Sequence, residues 1–353
     1  MTKSMRTEIA TTGLLMVGLA AGCGVLPVGV APPEALVAFS PRPDDRSATI
    51  TAIASSGQRT YVGFSDGEMF YRANGASTWD VYDTGPPGCD QPVPRGPITA
   101  FAITEATVFA AYAGTPGAPG IWRSPEDRPC WARESIADDF LSLSVSPFSS
   151  IELLAYGEGA RWATRQLGII WDQETKLPSL AFDGDARAMA AGVGPTGGRR
   201  AWLGDGSGRV YFSDDLATTG EPAAITWHGL TPDPGFPARP VVAIAVGPDS
   251  PRTVWITFYG VTADSLWRSD DGGASWRNPH GGELSSVVAS GAGGAGGAAG
   301  AAAASRGAAS FGPVSLVPGT GAAVVTAVVP DLGGKMTATS FWNSGESDDW
   351  TRF

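Results

Sequence analysis

Short runs in which apolar residues alternate with small or polar ones recur along most of the chain. The clearest are Ile50-Thr51-Ala52-Ile53-Ala54, Ile98-Thr99-Ala100-Phe101-Ala102-Ile103, Leu141-Ser142-Leu143-Ser144-Val145 and Val241-Val242-Ala243-Ile244-Ala245-Val246. Residues 186–191 are a weaker copy, and Val314-Ser315-Leu316-Val317 is the last. A period of two is that of a strand with one face against a core. After a Gly, Pro or Ser turn each run is followed by a second β-rich one: 60–64, 107–111, 151–155, 200–203, 253–258 and 322–329. A third and a fourth strand are expected on either side of the aromatic positions that come next.

Those aromatics are spaced regularly. Trp122 and Trp131, Trp162 and Trp171, and Trp267 and Trp276 are nine apart, and Trp342 and Trp350 eight apart. Phe70 and Trp79 repeat the interval, and Tyr211 and Trp227 fit if residues 216–224 are an insertion. Two residues after the first aromatic stand Ser124, Thr164, Ser213, Ser269 and Ser344, with Arg72 the exception. Four residues after it stand Asn74, Glu126, Gln166, Asp215, Asp271 and Glu346, every one an acid or an amide.

Four short strands in a repeat of about 40–50 residues predict an all-β propeller with blades of four antiparallel strands. The first aromatics, at 70, 122, 162, 211, 267 and 342, give six blades. The long last interval contains an almost pure Gly/Ala/Ser tract, residues 291–309, read as a loop insertion at about 290–310. Seven blades are the alternative, with residues 284–289 or the strand-like 35–39 in the extra one.

The segment Ser269-Asp270-Asp271-Gly272-Gly273-Ala274-Ser275-Trp276 resembles the Asp-box, or BNR repeat, of the sialidase superfamily, with Ser275 in place of Thr. Degenerate copies fall at 72–79, 124–131, 164–171, 213–227 and 344–350. The resemblance implies structural corners: a carboxylate bonding the backbone of a tight turn, a Gly at positive φ, and a Trp buried between sheets. Ser269, Asp271, Gly273 and Trp276, with Ser124, Glu126, Trp131, Asn74 and Trp79, are therefore assigned to structure.

The N-terminus changes the address. Lys3 and Arg6 precede an apolar run over 9–21, then Leu19-Ala20-Ala21-Gly22-Cys23. This is the layout of a secretory signal, residues 1–22, and its end resembles the lipobox of bacterial lipoproteins with Cys23 acylated. Leu19 sits one place further from the cysteine than that pattern has it. Residues 23–46 read as a Pro- and Val-rich tether before the propeller, 47–353. An exported chain, anchored in the bacterial cell envelope through lipid alone, is expected. Cys89 and Cys130 would then be in a compartment where a disulfide persists.

Composition narrows the function. With 35 Asp+Glu against 24 Lys+Arg the net charge is −11, which argues against nucleic acid as partner. His228 and His280 are the only histidines, read as loop residues, and no zinc-like spacing is present. Gly204-Asp205-Gly206-Ser207-Gly208 is a turn without the lysine of a phosphate loop. No metal or cofactor is expected. The resemblance to sialidases, whose active site is opposite the boxes, implies sites on loops between second and third strands and between blades, such as 83–97, 228–240 and 279–313. Arg95, Arg161, Arg209, Arg239 and Arg252 are candidates to line that face. A sialidase would carry a Phe/Tyr-Arg-Ile-Pro motif, which Phe39-Ser40-Pro41-Arg42-Pro43 does not match. The expectation is a monomeric, non-catalytic propeller binding an envelope protein or glycan. Sortilin-type receptors and photosystem II assembly factors resemble it in that use of the repeats. A sialidase-like glycoside hydrolase is the alternative.

Overall fold

A computed structural model describes residues 50–352 apart from 57, 74–79, 82–88, 90–95, 105, 114–118, 128–129, 135–139, 146–152, 158–160, 167–169, 177–185, 215–225, 231–233, 248–249, 261, 283, 285–309, 317–322, 331–335 and 344–347. Cys23, the signal, the tether, Asn74, Trp79 and the Gly/Ala tract lie outside the described residues.

The strands form six sheets. The first holds β1 (Ile50–Ser55), β2 (Arg59–Phe64), β3 (Met69–Ala73) and β4 (Asp80–Val81). The second holds β5 (Ile98–Ile103), β6 (Thr107–Tyr112), β7 (Gly120–Pro125) and β8 (Ala132–Arg133). The third holds β9 (Phe140–Val145), β10 (Leu153–Gly157), β11 (Arg161–Gln166) and β12 (Ile170–Lys176). In the fourth are β13 (Ala186–Val193), β14 (Arg199–Asp205), β15 (Val210–Ser213) and β16 (His228–Gly229). In the fifth are β17 (Val241–Val246), β18 (Val254–Phe258) and β19 (Leu266–Ser269). In the sixth, β21 (Ser310–Leu316), β22 (Ala323–Pro330), β23 (Met336–Asn343) and β24 (Asp349–Arg352) are joined by β20 (Gly281–Gly282).

Consecutive strands pair antiparallel within each sheet. The first strand of each sheet packs against the first strand of the next, and β21 returns to β1. The sheets thus close a ring with their first strands innermost, which is the arrangement of an all-β propeller. Burial follows position. The second strands are almost wholly buried, as in Val254–Phe258, because a sheet covers each side of them. The innermost β5, β9 and β17 mix buried and half-buried positions, and the outermost β4 and β16 are exposed.

The core is the set of spaces between neighbouring sheets. Tyr61 and Met69 of the first sheet meet Ile98, Phe101, Val108, Trp122 and Trp131 of the second. Trp202 and Val210 of the fourth meet Val241, Ile256, Phe258 and Trp267 of the fifth. Trp255 and Leu266 meet Phe311, Val314 and Trp350 of the sixth. Each large side chain buried this way contributes about 1.5–3 kcal/mol relative to exposure. The innermost strands share one irregularity. Register shifts occur at the start of β1, β5, β13, β17 and β21, and in β10 opposite the start of β9. A bulge frees one residue from the ladder. Thr51 and Thr99 occupy two such places, and their hydroxyls donate to the carbonyls of Ile98 and Phe140 in the following sheet. Ser142 Oγ does the same for Met189 O at 2.8 Å.

Two sheets depart from four strands. The fifth has three, its fourth reduced to a bridge between Arg268 and Arg277. Pro279, which has no N–H to give, follows, and its carbonyl accepts Trp350 Nε1 of the sixth sheet at 2.7 Å. The chain is thereby drawn across, and β20 pairs parallel with β24 as an added outer strand. Leu284, considered for a seventh blade, is buried in the core between the fifth and sixth sheets. Residues 285–289 and 35–39 lie outside the described residues. The last first strand starts at Ser310, ahead of the expected 314–317, because Phe311 already packs in that core.

Candidate functional site

In an antiparallel meander, the first-to-second and third-to-fourth connections share one end of a sheet. The second-to-third and sheet-to-sheet connections share the other. The corners at 269–276 and 124–131 are on the first end, here the corner end.

The 269–276 corner is held from within. Ser269 Oγ accepts from Gly273 N at 2.7 Å and donates to Asp271 Oδ1 at 2.9 Å. Asp271 in turn accepts from Ser275 N at 2.9 Å and from Ser275 Oγ at 2.6 Å. Burial pushes the Asp271 carboxyl up, but the bonds from Ser275, Ser269 and the Ala274 amide outweigh it and hold it below the usual value. Within its own sheet the corner is tied to the β17–β18 connection, where Gly272 N donates to Arg252 O at 2.9 Å, and it docks on the fourth sheet through Arg200 Nη1, which donates to Gly272 O at 3.3 Å. Trp276 meets Trp202 edge-on at 5.7 Å. The carboxylate is occupied by its own turn, so its chemistry is that of an Asx-type cap.

Asp271→Ala is expected to lower stability by about 1–2 kcal/mol, from the lost turn bonds. Because the folded pKa is depressed, this contribution is full above the ordinary Asp value of about 3.9 and is lost as pH falls through the folded pKa. Urea midpoints of parent and variant should therefore converge in acid. A difference independent of pH would show that the charge plays no part.

The second corner is built otherwise. Ser124 Oγ accepts from Cys130 N at 2.8 Å. Glu126, 4% exposed, turns out of its own corner: its carboxylate accepts from Ser56 Oγ and its carbonyl from the Arg59 guanidinium, both in the first sheet. Cys130 is bonded to Cys89, in the connection after β4, with Cα atoms 5.5 Å apart. Trp131 and Trp350 are buried at 1% exposure and Trp227 at 7%.

At the far end there is a concavity where the fourth sheet meets the connection to the fifth. It encloses about 490 Å³, and Arg209, Tyr211, Leu230, Pro234, Phe236 and Pro237 are among its walls. Asp205, fully buried, shapes one wall. Its Oδ1 accepts from Ser207 N at 2.9 Å, Ser207 Oγ at 2.8 Å and Arg209 N at 2.8 Å, fixing the β14–β15 turn. Gly208, at φ 93°, lies so close to the opposite wall that a Cβ would stand 2.2 Å from Pro237 O. Phe236 pins that wall, its ring 5.0 Å from Trp267, 5.2 Å from Trp276 and 5.3 Å from Phe258. The cavity is thus preformed. Among the described residues no carboxylate or imidazole lines it. Beside it, Arg239 pairs with Asp264 at 2.5 Å. Burial raises the Asp264 carboxyl, but Thr262 and Arg239 outweigh that and hold it low. Tyr259, 43% exposed, stands on the same end.

The arginines named from sequence scatter. Arg209 lines the cavity and Arg239 flanks it. Arg252 belongs to the β17–β18 connection, at the corner end, so it does not share their face. Arg95 lies outside the described residues. His228 is in β16, not a loop, with its ring 5.5 Å from Phe212. His280 is in a loop, its Nδ1 3.0 Å from Asn278 O. The sequence offered no signal for Phe236 or Leu230 beyond their place in a long connection. A Tyr–Arg–Glu group of the kind sought for glycoside chemistry does assemble: Tyr61, Arg59 and Glu126. It lies buried between the first two sheets, and burial pushes Tyr61 up to about 12, the wrong direction for a nucleophile. Among the described residues no group of three His, Cys, Asp or Glu is placed to hold a metal, and no helix is long and apolar enough to cross a membrane.

No family model matches the chain, and no curated protein does. Among solved structures it is similar to "YCF48 bound to D1 peptide", 19% identical over 65% of this chain and 66% of that one, with a TM-score of 0.40. It is also similar to YCF48 from Cyanidioschyzon merolae, 16% identical over 78% and 76%, with a TM-score of 0.44. The GH74 enzyme of Niastella koreensis is 13% identical over 86% of this chain and 49% of its own, with a TM-score of 0.34. At such identities and TM-scores neither ligand nor activity carries over.

Proposed function

We propose that this chain is a non-catalytic binding propeller of six blades, one per sheet, with Asp-box corners as structural locks. It is exported, lipid-anchored at Cys23, and presents its far end to a partner in the cell envelope. The observation that carries the reading is the preformed cavity between the fourth sheet and the connection to the fifth. Its described walls are aromatic, proline-rich and aliphatic with an arginine, and among the described residues they hold no acid pair. Glycoside hydrolysis needs two carboxyl groups about 5–9.5 Å apart across the scissile bond. A rigid apolar pocket with a few polar groups fits recognition instead.

The test is photo-crosslinking in intact cells from a reactive residue at Ala238, exposed beside the cavity, against one at Ser275, exposed at the corner end. A discrete adduct from position 238 alone is the expected result. Hydrolysis of aryl glycosides by the purified protein, lost in Arg209→Ala, would overturn the reading. Cys23→Ala should release the protein from membranes, and retention there would remove the anchor from the proposal.

A further inference from the structure

The chain enters the ring at Ile50, the first residue of β1. First strands begin at the far end, where the connections between sheets run, so the residues before Ile50 are delivered to the same end as the cavity. They include one compact apolar run, Ala35-Leu36-Val37-Ala38-Phe39, set between Glu34 and the charged Arg42, Asp44, Asp45 and Arg46. Water disfavours such a run, and Tyr211, Leu230, Phe236 and Pro237 of the cavity offer it an apolar surface.

Resting on the binding reading above, we propose that in the free chain the cavity is filled by the chain's own residues 35–39, which a partner has to displace. In an extended segment Val37 and Phe39 project to the same side, so both can enter. The cavity, at about 490 Å³, is within the roughly 300–1,000 Å³ that takes a ligand larger than one side chain. Proline prepares the run. Pro33 before it and Pro41 and Pro43 after it hold their neighbours extended, so little freedom is lost on seating.

Reach and concentration favour this occupant. The eleven residues from Phe39 to Ile50 span up to about 36 Å when extended. A compact fold of about 300 residues has a radius of gyration of about 19 Å, so a flank on the same end is within that reach. A segment tethered this closely acts at an effective concentration on the order of 1 mM. A contact with a free Kd of about 0.1 mM is then about 90% seated, and any other ligand of the cavity binds about tenfold more weakly. The run of a second copy has the same chemistry without the proximity, and a charge of −11 on each copy opposes the encounter.

The experiment is disulfide trapping in the full chain, with Ser40→Cys paired either with Ala238→Cys beside the cavity or with Ser275→Cys at the corner end. Peptide mapping tells these bonds from Cys23 and from the native Cys89–Cys130 bridge. The 40–238 bond should form within one chain, at least about tenfold faster than the 40–275 bond. Phe39→Asp should bring the two rates together. A labelled peptide of residues 32–46 should bind the full-length Phe39→Asp variant about tenfold more tightly than the parent. Gly229→Trp should abolish that binding at an unchanged melting temperature, since Gly229 lines the cavity and a Cβ there has nothing within 4 Å. Equal trapping at 238 and 275, trapping indifferent to Phe39→Asp, or equal peptide binding by parent and variant overturns the proposal. So does a 40–238 bond that forms only between chains and rises with concentration. An adduct from position 238 in cells without 40–238 trapping keeps the partner site and removes the self-contact. Trapping without any adduct in cells keeps the self-contact and removes the partner.

Discussion

Gly273→Ala should be among the most destabilising single-methyl substitutions in this protein, at about 2–5 kcal/mol. Two independent causes add. The residue is at φ 91°, where an L side chain costs about 1–2 kcal/mol. The new Cβ would also stand 2.0 Å from Cη2 of Trp202 and 2.9 Å from Cζ2. The indole has no way to retreat: Trp202 is fully buried and meets Trp276 and Phe212. Overpacking of such a site costs a further 1–3 kcal/mol or so. Gly197→Ala is the control. It has nearly the same φ, 87°, but its Cβ would find only Arg252 Nη2 at 3.5 Å. It should lose the backbone cost alone, about 1–2 kcal/mol. Urea unfolding of both variants separates the terms, provided the slope is unchanged. Equal losses would mean that the corner does not press on Trp202, and that the fourth and fifth sheets are not locked there.

That contact also marks where sequence legibility stopped. The corner itself was readable, because Ser269, Asp271, Gly273 and Trp276 bond or pack within eight residues of one another. What it docks on was not, because Arg200, Trp202 and Phe236 reach it across sheets, and no local period encodes that distance. The strands were readable for the same reason as the corner: alternation is local. The bulges at the start of the innermost strands were not. Thr51 and Thr99 look like ordinary polar positions in an alternating run, and only the ring gives their hydroxyls the next sheet's carbonyls. The missing fourth strand of the fifth sheet depended on Pro279 being pulled toward Trp350, again a contact across sheets. The cavity was legible only as a long connection, 228–240, on the expected end. Its walls are loop residues, which follow no repeat.

The degenerate second corner leads to the other large effect. In the complete corner the slot before the tryptophan is Ser275, which bonds Asp271. In the second, those slots hold Cys130 and Glu126, and both reach the first sheet or the connection that leaves it. A lock within one turn has been exchanged for two ties between neighbouring sheets. Removing the covalent one, as Cys89→Ser with Cys130→Ser, should cost about 4 kcal/mol, the chain entropy released by opening a loop of 41 residues. The loss should appear in the parent on adding reductant and be absent from the double variant. The corner itself should survive, since Cys130 N still bonds Ser124 Oγ and Trp131 stays buried. Adding Glu126→Gln to the double variant tests whether the ties act as a unit. They span the same two sheets, so the combined loss should differ from the sum by more than the about 0.5 kcal/mol seen for independent sites. If reductant leaves the parent's melting temperature unchanged, the covalent tie is not holding these sheets together. The Glu126 bonds to Ser56 and Arg59, with the apolar core between the two sheets, would then hold that seam.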